Sequence, residues 1–416
     1  MDPDPLLERF LRYVRIDTTA DPAATDYPSS PGQWELGKLL AEELEALGVS
    51  EVRQDEFGIV HGLVPATVTK APTIVLNAHL DTSPETSGCN VNPQVISNYG
   101  GGDIVLPADP RQIIRVAESP ELNELLGKTL ITTDGTTLLG GDDKAGIAVI
   151  MEAVSRLKAD LTIPHGPVRI LFTCDEEIGH GVDHVDVAAL QATACYTLDG
   201  PGAGTIDNET FSANLATITI VGQNIHPALA KGRMVNAVRV AAFLVDQLPR
   251  SELSPESTEH RQGFLHPYEL QANVGEATIR ILLRDFETPR LEQFATNLKR
   301  LAGRTESEFP GSAVTVSIRA QYRNLAEGLA REPRAVSLAE TAFRRLGLPC
   351  QTSIIRGGTD GSRLTELGLP TPNLSTGQHN LHSKLEWVCL DEMRQAAAVL
   401  LELLRVWAEE TQARGR

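Results

Sequence analysis

Two apolar patterns alternate along the chain, and each predicts a different element. Continuous runs at 72–78 (PTIVLNA), 168–173 (VRILFT) and 194–198 (ACYTL) have no polar face, so they predict strands buried on both sides, as in a parallel sheet. Apolar residues at helical spacing predict helices over 5–15, 31–48 (closing at Gly48) and 145–158. From about residue 211 the pattern changes. The segments 213–221 (ANLATITIV), 277–286 (ATIRILLRDF) and 312–321 (SAVTVSIRAQ) alternate with period two, the mark of strands with one exposed face. Helices over 234–248 and 289–304 separate them, and 251–276 reads as a polar connection. The order βαβαβ predicts a small α+β domain over 211–324, inserted into an α/β domain made of 1–210 and 325–416. The α/β domain resumes with a helix at 333–346, strands at 352–355 and 371–374, and a closing helix over 391–410. Residues 82–128, with Gly100-Gly101-Gly102 and little periodicity, predict a long loop. The expected class is therefore α/β: a mostly parallel twisted sheet flanked by helices, plus the smaller inserted domain.

Composition narrows the functions this frame can serve. With 41% hydrophobic and 22% charged residues the 416-residue chain can bury a large core, and no apolar run is long enough to cross a bilayer. A formal charge of −18 argues against nucleic acid and anionic membranes as partners. The beginning MDPDPLLERF is acidic rather than basic-then-apolar, which leads us to expect a cytoplasmic protein. Five cysteines without C-x-x-C spacing indicate neither a disulfide framework nor a thiolate zinc site, so any metal must be held by His and carboxylate.

Candidate chemistry lies where the buried strands end. The first is followed by His79-Leu80-Asp81, the second by Asp175-Glu176-Glu177, and the third by Asp199-Gly200. Open α/β sheets bind ligands beyond these carboxyl ends. Between the first two strands stands Gly140-Gly141-Asp142-Asp143, two adjacent acids leading into an apolar helix. One such acid is commonly a helix or turn cap, but three acidic strand ends plus Asp142 are hard to explain as caps alone. His79, Asp142, Glu177, Asp199 and His382 together offer two imidazoles and three carboxylates, a donor set suited to zinc. Two metals sharing Asp142 would have two terminal ligands each. Glu176, next to a ligand but itself free, is the natural base, and Asp81 is placed to orient His79. A calcium-stabilised domain would not explain the imidazoles, because calcium takes oxygen ligands.

The segments NAHLDT (77–82), LLGGDDKAGIA (138–148), FTCDEEIG (172–179), YTLDG (196–200), NIHPALAKGRMVNA (224–237), IRGGTDG (355–361) and LHSKLEWV (381–388) carry a resemblance over essentially the whole chain. They resemble the co-catalytic zinc peptidase family that includes aminoacylases and glutamate carboxypeptidases, and within it the tripeptide aminopeptidases. The resemblance implies two Zn2+ ions per subunit, with Co2+ or Mn2+ as substitutes, and His79, Asp142, Glu177, Asp199 and His382 as ligands, with Asp142 bridging. It implies Asp81 and Glu176 as catalytic carboxylates. It makes the inserted domain a lid through which the chain forms a homodimer. In that lid His226 would reach the reacting carbonyl, and Asn236 and Arg356 would grip the substrate's carboxylate end with Arg284 near the site. The implied activity is removal of the N-terminal residue from short peptides, the alternative being an N-acyl amino acid deacylase or dipeptidase on the same dizinc site. His379 stands where the family has tyrosine, and Ser383 and Leu385 replace a glycine and a histidine, departures that bear on pocket shape.

Overall fold

The computed structural model describes residues 4–414, so the first three residues of the acidic amino end lie outside it. The chain divides into two compact units. The larger comprises the chain up to Asn208, Glu327–Ser353 and the chain from Thr359; the smaller comprises Glu209–Ala326 and Ile354–Gly358.

The centre of the larger unit is four parallel strands in the order Val168–Thr173, Ile74–His79, Ala194–Pro201, Asn373–His379. Every residue of Ile74–His79 is buried, which is why that strand reads as an apolar run with no exposed face. Antiparallel strands extend the sheet on both sides. Val60–Val64 pairs with Val168–Thr173 and carries Ser50–Gln54 beyond it. On the other side Trp387–Cys389, Leu130–Thr132 and Gln94–Ile96 follow Asn373–His379. Against the parallel centre lies helix Gly141–Ala159, buried all along its first three turns and packed on three of the four central strands. Gly146 makes this approach possible. A Cβ there would stand 2.0 Å from the Leu198 carbonyl oxygen, so only glycine lets the helix come this close to the strand carrying Asp199.

Residues 82–128 differ from the expected long loop. They contain the short strands Gln94–Ile96, Ile104–Val105 and Ile113–Ile114, and Tyr99, Ile104, Leu106, Ile114, Leu122 and Leu125 form a subsidiary core with Leu130 and Trp387. Two- and three-residue strands are too short to show a period in the sequence.

The smaller unit is a four-stranded antiparallel sheet in the order Phe264–Ala272, Glu276–Asp285, Ser212–Val221, Ala313–Tyr322. Ala216, Ile218 and Ile220, with Ala277, Ile279, Ile281 and Leu283, face helices Ala237–Asp246 and Thr288–Glu308 to make its core. Phe264–Ala272 lies in what reads as a polar connection. It is an edge strand with only Leu265 buried and Pro267 at a register shift, and such strands lack the alternation that marks a half-buried one. Among the described residues no helix is long and apolar enough to cross a membrane.

Candidate metal centre

The larger unit gathers the strand-end residues into one buried cluster. His79 is the last residue of its strand and 2% exposed; its Nε2 lies 3.0 Å from Asp142 Oδ1 and 3.9 Å from Asp199 Oδ1. His382 Nε2 lies 3.2 Å from Asp142 Oδ2 and 3.0 Å from Glu177 Oε2. The donors thus form a chain, Asp199, His79, Asp142, His382, Glu177, in which each oxygen of Asp142 faces a different imidazole. Ligand atoms of His79, Asp142 and Glu177 all lie within 4.8 Å of one another, as do those of His79, Asp143 and Asp199. Asp143 is the weaker candidate of these. Its Oδ2 accepts the backbone N–H of His79 and its Oδ1 that of Gly146, so both oxygens already serve the backbone.

Electrostatics within the cluster follow from burial opposed by pairing. Burial pushes the Asp142 carboxyl up, but hydrogen bonds and charge from His382 and His79 prevail and hold it well below the usual range. Burial works to lower the His382 imidazole, yet Asp142 and Glu177 push it up to about 11. Glu177, desolvated and close to Asp142, is raised to about 7, and Glu176 is also pushed up, first by burial and then by Asp199 and Asp360 against the pull of His79. Three carboxylates and two imidazoles taken out of water together are a donor set that suits a divalent cation, whose charge would favour the ionised acids over the protonated forms that burial promotes. Glu177 Oε1 is buried and has no hydrogen-bond partner among the described residues, which leaves a lone pair for such an ion.

Asp81 works on both sides of the cluster. It is fully buried, and its Oδ1 and Oδ2 accept the N–H groups of Glu176 and Glu177 at 3.0 Å each. Its carbonyl oxygen lies 3.1 Å from His79 Nδ1 and its Oδ1 3.4 Å, so it fixes the imidazole edge remote from Asp142. Asp175, first of the three acids after its strand, is a structural anchor: it accepts from the Ser29 N–H and the Gln33 amide. His379 is turned to other partners, stacked on Trp387 at 3.8 Å with Nε2 2.8 Å from Glu392.

The predicted residues of the smaller unit are engaged with that unit's own backbone. His226 is exposed and its Nδ1 accepts the Ala228 N–H. Asn236 caps helix Ala237–Asp246 by accepting the Val238 N–H. Arg284 is buried, donates to the carbonyls of Asn214 and Leu283, and lies over the Tyr322 ring. Arg356 donates to the carbonyls of Thr258, His260 and Gln262 and packs on Phe211 and Phe264. Glu386, not among the residues expected at the site, has a carboxylate that accepts three backbone N–H groups around Asp142. A lone acid directly before the apolar strand Trp387–Cys389 was the available signal.

A cage of imidazoles and carboxylates beyond the carboxyl ends of a parallel sheet defines a metallohydrolase, and comparison with known proteins gives the class. The profile of peptidase family M20/M25/M40 matches residues 135–406, and the chain belongs to that family. It is 44% identical to peptidase T of Geobacillus thermodenitrificans over 98% of this chain and 99% of that one. To peptidase T of Clostridium perfringens it is 42% identical over 97% and 99%. Its fold is like the crystal structure of aminopeptidase PepT from Bacillus cereus, with a TM-score of 0.74 at 24% identity covering 97% of this chain and 98% of that one. A dinuclear metal-binding peptidase of the same family from Bacillus subtilis gives a TM-score of 0.65 at 14% identity, covering 97% and 99%.

Proposed function

We propose that this protein is a metal-dependent aminopeptidase that removes the N-terminal residue of short peptides, tripeptides above all, on a pair of zinc ions. The observation that carries the reading is Asp142 with one imidazole on each of its oxygens, continued by Asp199 on one side and Glu177 on the other. His79 and Asp199 would hold one ion, His382 and Glu177 the other, with Asp142 shared. Such a pair, when bound, polarises the scissile carbonyl and lowers the pKa of an attacking water.

The remaining chemistry belongs to the chain. Glu176 takes the proton of the water and passes it to the leaving amine, a role served by the raised proton affinity that its burial gives. Asp81 keeps Glu176 and Glu177 in register through their N–H groups and holds the far side of His79. Motif similarity supports His226 as donor to the reacting carbonyl, and Asn236, Arg284 and Arg356 as contacts to the peptide. To reach a ligand Arg356 must release carbonyls that it now holds. Association of two copies through the smaller unit belongs to the same reading and has support in the exposed edge strand with Tyr268 and Leu270.

The test is to assay free-amine tripeptides beside N-acylated amino acids and dipeptides, before and after exhaustive chelation. The reading predicts tripeptide cleavage that chelation abolishes and zinc restores. Preference for acylated amino acids would assign a deacylase instead, and activity indifferent to chelation would remove the metal mechanism.

A further inference from the structure

We propose that Glu386 is the positioning residue that fixes the shared ligand Asp142, so that both halves of the cage fill together. This rests on the two-metal reading above and goes beyond it. Glu386 is 1% exposed. Its Oε2 accepts the N–H of Leu139 at 2.7 Å and of Gly140 at 2.8 Å, and its Oε1 accepts the N–H of Asp142 itself at 3.0 Å. A buried carboxylate is tolerated only when its lone pairs are satisfied, and here three backbone donors do so.

The backbone needs this support at this place. Asp142 is the second residue of helix Gly141–Ala159, where the helical ladder has no acceptor for its N–H, and Asp142 and Asp143 also have non-helical dihedral angles. Glu386 supplies that acceptor. Gly141 makes room, since a Cβ there would lie 3.1 Å from Glu386 Oε1 and 2.6 Å from Val388. Glu386 also stands four residues after His382, in the same turn, where its N–H donates to the Ser383 carbonyl. One short segment therefore supplies a terminal ligand and the brace for the bridging one, which couples their positions.

A terminal ligand that shifts weakens one ion, whereas a bridging ligand that shifts weakens both. Glutamine at 386 keeps the shape but turns an NH2 group toward backbone N–H groups, so Asp142 must move or leave a donor unpaired. The experiment titrates Zn2+ calorimetrically into the chelated full-length protein and its Glu386→Gln and Glu386→Asp variants, with circular dichroism to check the fold. Wild type is expected to take two ions. Glu386→Gln is expected to stay folded and to bind zinc about 10–100-fold more weakly, the usual range when a group that orients a ligand is lost. Glu386→Asp, charged but too short to reach all three N–H groups, should fall in between. Should wild type itself not bind two ions, the two-metal reading fails before Glu386 is tested. Should wild type bind two and either folded variant bind two with native affinity, the assignment of Glu386 is overturned, even if the variant melts at a lower temperature.

Discussion

Replacing Asp81 by asparagine tests whether the bonds that Asp81 makes to Glu176, Glu177 and His79 hold the cluster together. Asp81 is fully buried and accepts two backbone N–H groups, from Glu176 and Glu177, one on each oxygen at 3.0 Å. Asparagine has nearly the same shape but only one acceptor oxygen. One charge-assisted bond, worth about 1.5–3 kcal/mol, is lost, and the other weakens toward the ~1 kcal/mol of a neutral pair. The metal-free protein should therefore lose about 2–5 kcal/mol of stability, read as a lower urea midpoint at unchanged slope. The functional effect is separate. The freed segment carries the proposed base and a proposed ligand, and His79 loses the charge beside its Nδ1. Zinc affinity and kcat should each fall about 10–100-fold. A variant that loses stability while keeping native zinc affinity and kcat would refute the claim that Asp81 organises the centre.

Three further outcomes are expected. Glu176→Gln should bind zinc normally and lower kcat by about 10²–10⁴, the range for removal of a general base, as measured by calorimetry and steady-state peptide hydrolysis. Arg356→Ala should raise KM for a tripeptide about tenfold or more, corresponding to ~1.4 kcal/mol of lost binding; an unchanged KM with earlier proteolysis near residues 258–262 would confine Arg356 to holding that loop. Gly146→Ala would press a Cβ to 2.0 Å from the Leu198 carbonyl oxygen and should cost about 1–3 kcal/mol or more in urea unfolding, because the contact is with main chain and either the helix or the strand must shift to relieve it.

The parts of the fold legible in the sequence are those whose burial is uniform. Ile74–His79 and Val168–Thr173 stand out because both faces are covered, and Ser212–Val221 because one is. Phe264–Ala272 was not legible, since an edge strand with a proline and a single buried residue meets no periodic demand. The subsidiary core of residues 82–128 was hidden for a related reason: its apolar residues pack through tertiary contact, with Trp387 far along the chain, and not along one element's face. At the cluster, the strand ends pointed to His79, Glu177 and Asp199, because an imidazole or acid recurring after three separate buried runs is hard to explain as caps alone. The division of labour among neighbours was less legible. Asp175 anchors Ser29 while Glu177 faces His382, and Asp143 serves backbone N–H groups while Asp142 faces the imidazoles. Nothing in the spacing of adjacent acids distinguishes these directions. Glu386 was overlooked because its partners are main-chain groups some 245 positions earlier, a relation no local pattern encodes.

The central claim is that two ions share Asp142. Diffraction from crystals of the zinc-loaded protein, recorded on both sides of the zinc absorption edge, tests it most directly. Two anomalous peaks are predicted, one bonded to His79 and Asp199, the other to His382 and Glu177, with a different oxygen of Asp142 on each. A single peak, or peaks that leave Asp142 bonded to neither ion, would contradict it.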